Sequence, residues 1–172
     1  MKLGKALTNL TIRQGINGEQ MARELHLDPT TVSKMKNDKC NVTTDTAHYS
    51  LQVYDDGEYT QDVTHYFSHG RTAPTIDGKA LDRETPLAIM IQALEEIKDV
   101  TDVLDLKLFL RNPEHASDVE INAAETAYRE SKELEWVMSN LCARIAHFYS
   151  LNGKELDKDV KRKWKAAEVL SI

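Results

Sequence analysis

Along the first 68 residues the apolar positions recur every three or four places in short runs, each closed by a turn signal. Leu3, Leu7 and Leu10, with Ala6 beside them, predict a helix over residues 1–14. Gly15 ends it by taking the left-handed conformation freely, and Ile16 is placed to staple the next helix at its start. Asn17 caps that helix, with Gln20 completing a capping box and Met21, Ala22 and Leu25 on its inner side. The helix ends at His26-Leu27. A third starts at once, with Asp28 as its cap, Pro29 at the first helical position, where a missing N–H costs nothing, and Val32 and Met35 turned inward. Asn37 to Asn41 is turn chemistry. Residues 44–54 place Ala47, Leu51 and Tyr54 at helical spacing, although the β-branched and aromatic residues of this run also suit a strand. Asp55-Asp56-Gly57 breaks the run, and residues 59–68 supply a fifth short helix with Val63, Tyr66 and Phe67 apolar.

The pattern then changes scale. Residues 69–84 contain two Gly, one Pro and no helical period and read as a linker, with Ile76 and Leu81 available to pack on a neighbour. Thr85-Pro86 opens a long helix running to Leu110, with a broad stripe from Leu87, Met90, Ile91, Leu94 and Ile97 through Val100, Val103, Leu104, Leu106 and Leu110, and a kink near Thr101; Arg111-Asn112-Pro113 ends it. From Asp118 to about Leu151 there is no Gly or Pro, and Ile121, Ala124, Tyr128, Leu134, Val137, Met138, Leu141, Ile145 and Phe148 line one face. A helix of that length needs a partner, either the preceding helix folded back or the same helix of another chain, and the stripe alone fits both. Asn152-Gly153 caps its end. Residues 156–172 form a last helix with Val160, Trp164, Ala167 and Leu170 inward and Lys158, Lys161, Arg162, Lys163 and Lys165 mostly opposite. The expected division is a helical module over 1–68, a linker over 69–84 and a helical hairpin or bundle over 85–172.

The two helices of residues 16–37 carry a more specific signal. Ala22, Leu25, Leu27, Val32 and Met35 are spaced as in the core of the helix-turn-helix of the lambda-repressor and Cro-like (Xre) regulators, which this stretch resembles. Ala22 stands where two helices crossing near a right angle need a small side chain. His26 stands where these proteins usually carry a turn Gly, a position His tolerates at positive φ, and Gly18 stands where many carry a phosphate-contacting Gln. The resemblance implies an all-α fold with a five-helix N-terminal domain, in which 44–54 is a helix. It also implies a transcriptional regulator, a repressor of bacterial, phage or mobile-element origin.

Charge modifies this picture. The chain of 172 residues has a net charge of −6, distributed unevenly: residues 1–40 balance at +3, residues 41–70 hold five acids and no Lys or Arg, and residues 71–172 balance at −4. A locally basic module on an acidic body suits duplex DNA if the basic residues share a face, with weak non-specific binding. Cys40 and Cys142 lie far apart and predict reduced thiols rather than a disulfide. No apolar run approaches the roughly 20 residues needed to span a bilayer, and Met1 to Leu10 lacks the apolar core of a signal peptide, so the sequence predicts a soluble, cytoplasmic protein that does not engage a membrane.

The third helix presents Thr30, Thr31, Ser33, Lys34 and Asn37 outward, the side chains a recognition helix offers to base edges: Lys34 suits guanine, Asn37 suits adenine, and the hydroxyls suit bases or phosphate. Asp28 is expected to serve as a cap rather than as an acceptor from cytosine. Asn17, Gln20, Lys36 and Lys39 are the candidates for phosphate contacts. Among the six His, only His65 and His69 have a metal-compatible interval, with Asp62 nearby, and capping or surface roles account better for all six. Glu95, Glu96, Asp99, Asp102 and Asp105 read as a solvated ridge, and Trp164 as a core residue within a basic cluster. No catalytic set, metal site or cofactor is expected, and the chain does not read as an enzyme. Its expected partners are double-stranded DNA and a second copy, with the dimer or partner interface formed by Leu134, Val137, Met138, Leu141, Ile145 and Phe148. The alternative function belongs to another class: an inhibitor or adaptor, for example against a host defence protein, that binds a protein partner through residues 85–172 and keeps the helix-turn-helix as a secondary feature.

Overall fold

Five of the helices begin where a polar side chain caps the first turn. The computed structural model describes residues 3–78, 85–105, 107 and 112–171, and among these the chain is all-α: α1 (Gly4–Arg13), α2 (Gly18–Glu24), α3 (Pro29–Lys36), α4 (Thr44–Val53), α5 (Gly57–Phe67), α6 (Leu87–Val103), α7 (Asp118–Phe148) and α8 (Gly153–Ala166), with a 3-10 turn at Pro113–His115. Asn17, Asp28, Thr43, Asp56 and Asn152 each accept a backbone N–H from the first turn of the helix that follows, at α2, α3, α4, α5 and α8. Residues 44–53 are helix; the Thr43 cap and burial of Ala47 and Ser50 override the strand preference of the run.

The chain divides into two units, Met1–Thr75 with Ala143–Ile172, and Ile76–Cys142. In the first, α2 packs on α3, α1 on α3 and α5, and α4 on α5. Leu7, Leu10, Met21, Ala22, Leu25, Val32, Met35, Ala47, Tyr59 and Val63 are buried in one cluster, with Ile16, Leu27 and Leu51 packed against it. His26 takes the left-handed conformation (φ 54) at the turn between α2 and α3, while Leu27 N–H reaches back to Ala22 C=O at 2.8 Å and closes α2.

The division differs from the expected one because residues 143–172 belong with the N-terminal unit. Gly57, at the start of α5, lies so close to α7 that an added Cβ would stand 2.7 Å from Ala143 Cβ and 2.9 Å from its Cα. Lys154 Nζ donates to Gln52 C=O at 2.8 Å, and Gly153 lies against Asp55. Gly57→Val is therefore expected to destabilise the protein by about 1–3 kcal/mol through overpacking against a helix backbone. Urea unfolding measures this, and a loss below about 0.5 kcal/mol would show that α7 yields freely there. The expected linker is also tied down as far as it is described: Ala73 is buried and Thr75 Oγ1 donates to Glu58 C=O in the first unit, while Ile76 N–H donates to the buried Asn140 Oδ1 in the second. Leu81, Leu106, Leu110 and Arg111 lie outside the described residues.

Three expectations for the long helices need correction. First, α6 stops at Val103. Thr101 and Val103 are β-branched, Asp102 opposes the negative end of the helix dipole, and Asp105 Oδ1 accepts Lys107 N–H at 2.9 Å in a turn that competes with the helix. Second, the buried line of α7 runs through Ala127, Val137, Leu141 and Arg144, with Glu130 and Leu134 half-buried along it, whereas Ile121 and Tyr128 are exposed. The six-residue step from Tyr128 to Leu134 turns the line by about 120° on a helix of 3.6 residues per turn, so Ile121 and Tyr128 do not share a face with Val137 and Leu141. Ser150 at φ 51, rather than Asn152-Gly153, terminates α7, and Asn152 begins α8. Third, α8 has no buried residue: Leu156, Val160 and Trp164 are 47, 55 and 48% exposed, so the core role expected for Trp164 does not hold.

Buried tyrosines stitch the first unit. Ser50 Oγ donates to Ala47 C=O at 2.7 Å and shares a second hydrogen bond of 2.7 Å with Tyr59 Oη, and Tyr54 Oη donates to Glu24 Oε2 at 2.8 Å, joining the end of α4 to α2. Burial raises both phenols above their ordinary pKa; the Glu24 hydrogen bond and charge add to it at Tyr54, and at Tyr59 the Asp56 and Asp62 charges add to it against the opposing Ser50 bond. The folded state thus holds these protons where the unfolded chain releases them. Stability from this source is complete below the unfolded tyrosine value of about 10 and falls as pH rises beyond it. Unfolding midpoints taken between about pH 8 and pH 11 should decline above about pH 10, with Tyr59→Phe postponing the decline; a flat profile would refute it.

Candidate nucleic-acid interface

The physical requirement for a groove-reading helix is one face locked to a core and the opposite face free. On α3, Val32 and Met35 are buried, and Thr30, Ser33, Lys34 and Asn37 are exposed, with Thr31 half-buried. Asp28 caps the helix, its Oδ1 accepting Thr30 N–H at 2.8 Å. Hydrogen bonds from the Thr30 side chain and amide, with the nearby Lys34 charge, hold the Asp28 carboxyl below the usual carboxylate range. The cap is therefore ionised over the physiological range, and its acceptor oxygen is turned back into the helix rather than out to a base.

Other candidate side chains are already engaged. Asn37 Nδ2 donates to Ser33 C=O at 2.8 Å, so a bidentate pairing with adenine would require that bond to open. Lys36 is half-buried and its Nζ donates to Thr11 Oγ1 at 3.0 Å, tying α3 to α1. Gln20 Nε2 donates to Glu24 Oε1 at 2.9 Å, and Asn17 Oδ1 accepts Gln20 N–H at 2.8 Å as the α2 cap. Lys34 and Lys39 are exposed cations, on α3 and just past its end. The exposed set that α3 brings together is thus Thr30, Ser33 and Lys34, flanked by Lys39.

What holds this face in place was only partly visible as sequence. Gly4 N–H donates to Asp38 Oδ1 at 3.0 Å, and a Cβ at Gly4 would meet Lys36 C=O at 2.6 Å, so the start of α1 is pressed on the end of α3. His26 lies beside Tyr49 with ring centroids 5.7 Å apart. Arg13 Nε and Nη2 pair with the two Asp56 oxygens and Nη1 with Glu58 Oε2, all at 2.8 Å. No period or motif marks these contacts; Arg13 and Asp56 are 43 residues apart.

The expected dimer-interface residues on α7 separate by environment. Val137 and Leu141 are buried within the single chain, Leu134 and Ile145 are half-buried, and Met138 and Phe148 are exposed. The first two are spent on the chain's own packing. Nor is the acidic ridge uniformly solvated: Glu96 is buried in line with Ile89, Ala93 and Val100, with Gln92 donating to it, and its carboxylate lies within 4.8 Å of those of Glu130 and Glu133. Glu95, Asp99, Asp102 and Asp105 are exposed. Of the histidine pair, His65 Nδ1 lies 2.6 Å from Thr72 C=O and α5 ends before His69, which takes positive φ. Among the described residues no helix is long and apolar enough to cross a membrane. Comparison of the chain with protein-family models, with curated proteins and with solved structures finds no match.

Proposed function

We propose that this protein is a sequence-specific DNA-binding transcriptional regulator, a repressor acting as a dimer, with α3 as its recognition helix. The observation that carries the proposal is the division of α3 into a buried Val32/Met35 face, held on α1 and α2, and an exposed face of Thr30, Ser33 and Lys34. Those groups donate and accept hydrogen bonds at the N-terminal and middle positions that reach base edges when a helix enters the major groove. A single module of this size offers few phosphate contacts, so two copies reading two half-sites are needed for useful affinity.

Selection of bound duplexes from a random library by the purified chain tests this, with the affinity of the enriched pool followed as salt is raised. A palindrome with half-sites about one helical turn apart is the expected result. Absence of enrichment, with only weak binding that disappears by physiological salt, overturns it. A second function, inhibition or adaptation through protein binding, is favoured by one observation: Leu156, Val160 and Trp164 leave an apolar stripe on α8 uncovered, opposite a basic face. Under that reading Lys34→Glu leaves activity intact.

A further inference from the structure

The apolar residues of α6 occupy two faces, and among the described residues one is buried and the other exposed. Ile89, Ala93, Glu96 and Val100 are buried in the second unit. On the other face Leu87, Met90, Leu94 and Ile97, followed by Leu104 at the C-cap, stand 3, 4, 3 and 7 residues apart and are 44 to 62% exposed, with Ile91 beside them at 50%. This is the a/d spacing of a helix that packs knobs into the holes of another. Thr101 fills the one remaining position of the repeat, and its Oγ1 donates to Ile97 C=O at 2.7 Å, so its polar atom is satisfied within α6 and is not orphaned when the seam is covered.

We infer that the seam is covered by α6 of a second copy, in an antiparallel two-fold pair. Antiparallel pairing about the middle of the seam sets Leu94 of one copy against Ile97 of the other, Met90 against Thr101, and Leu87 against Leu104, so every a position meets a d position. Six half-exposed side chains per copy bring about 1,000 Å² of apolar surface to the pair, near the lower bound of a stable protein interface, before the flanking residues are counted. The dimer contact thus lies on α6, not on the α7 stripe. It deepens the DNA-binding reading by supplying its two-fold, yet it is measured on the free protein, so failure of dimerisation and failure to select a palindrome are separate results.

Sedimentation equilibrium of the full chain without DNA is the test. The unaltered chain is expected to be a dimer at micromolar concentration. Leu94→Glu and Ile97→Lys should each weaken the dimer by about 100-fold or more while keeping the helical circular-dichroism signal, since both side chains are exposed in the single chain. Mixing the two variants should restore a dimer, because each mixed pair sets one Glu against one Lys and leaves the second crossing contact unaltered. A monomeric unaltered chain, a dimer that survives Leu94→Glu, or a dimer lost on Phe148→Glu but not on Leu94→Glu overturns the assignment to α6. Failure of the mixture to associate overturns the antiparallel register.

Discussion

Arg13→Ala should lower the stability of the folded chain by about 3–5 kcal/mol. Arg13 closes the last turn of α1 with its guanidinium bonded twice to Asp56 and once to Glu58, and the three side chains are 14, 4 and 17% exposed. Burial works against the Arg13 charge, but the hydrogen bond and charge of Asp56, with Glu58 and Asp62, outweigh it, and the pKa is raised. Asp56 is also the cap of α5, its Oδ1 accepting Tyr59 N–H at 2.8 Å. Truncation at Arg13 strands that buried carboxylate beside two others and loosens the cap, so the α1–α5 contact and the start of α5 fail together. Replacing the exposed Arg129, whose partner Glu125 lies one turn away on α7, should change stability by less than about 0.5 kcal/mol. Urea unfolding of both variants measures the contrast. A loss below about 1 kcal/mol for Arg13→Ala would mean that water replaces the guanidinium and that the network is peripheral.

Lys34→Glu should weaken binding to a selected duplex by at least about 30-fold without altering thermal stability. Each half-site loses a donor to a base or phosphate and gains a like-charge contact, on the order of 1–3 kcal/mol, and a dimer suffers this twice. The expectation is clean because Lys34 is exposed on α3, whereas Lys36 donates to Thr11 and its removal would disturb the packing of α3 on α1. Lys34→Gln should fall between, since it keeps a donor and loses the charge. Unchanged affinity in Lys34→Glu, with a selected palindrome still bound, would move the reading face away from α3.

Local chemistry made α2 and α3 legible. The caps at Asn17 and Asp28, the proline after Asp28 and the inward set Ala22, Leu25, Val32 and Met35 all depend on residues within one or two turns of each other, and the structure has each of them in the expected place. The outward face of α3 follows directly, because a helix with one face fixed has its other face fixed too. The engaged states of Asn37, Lys36 and Gln20 were not legible. Each bonds a polar neighbour within the chain, and no periodicity distinguishes an inward bond from an outward-facing group.

The second half shows where pattern runs out. Helices α6 and α7 exist where the apolar density requires them, yet α6 carries two apolar faces, and a hydrophobic stripe says that a surface will be covered without saying by what. Only the tertiary structure assigned Ile89, Ala93 and Val100 to the inside of the chain and left Leu87, Leu94 and Ile97 open. It alone placed Glu96 on the covered face, since a charge among apolar neighbours is scored as exposed until packing is known.

By itself, then, the sequence determined the all-α class, the caps of α2 and α3 and which face of α3 is free, because these are set by interactions that close within a few residues. The tertiary structure decided the pairing of Arg13 with Asp56, the return of residues 143–172 to the N-terminal unit, and the division of α6 into a used and an unused seam. Contacts between residues 43 or more apart depend on how whole helices cross, and the energy of a crossing is summed over many small side-chain fits that no single spacing encodes.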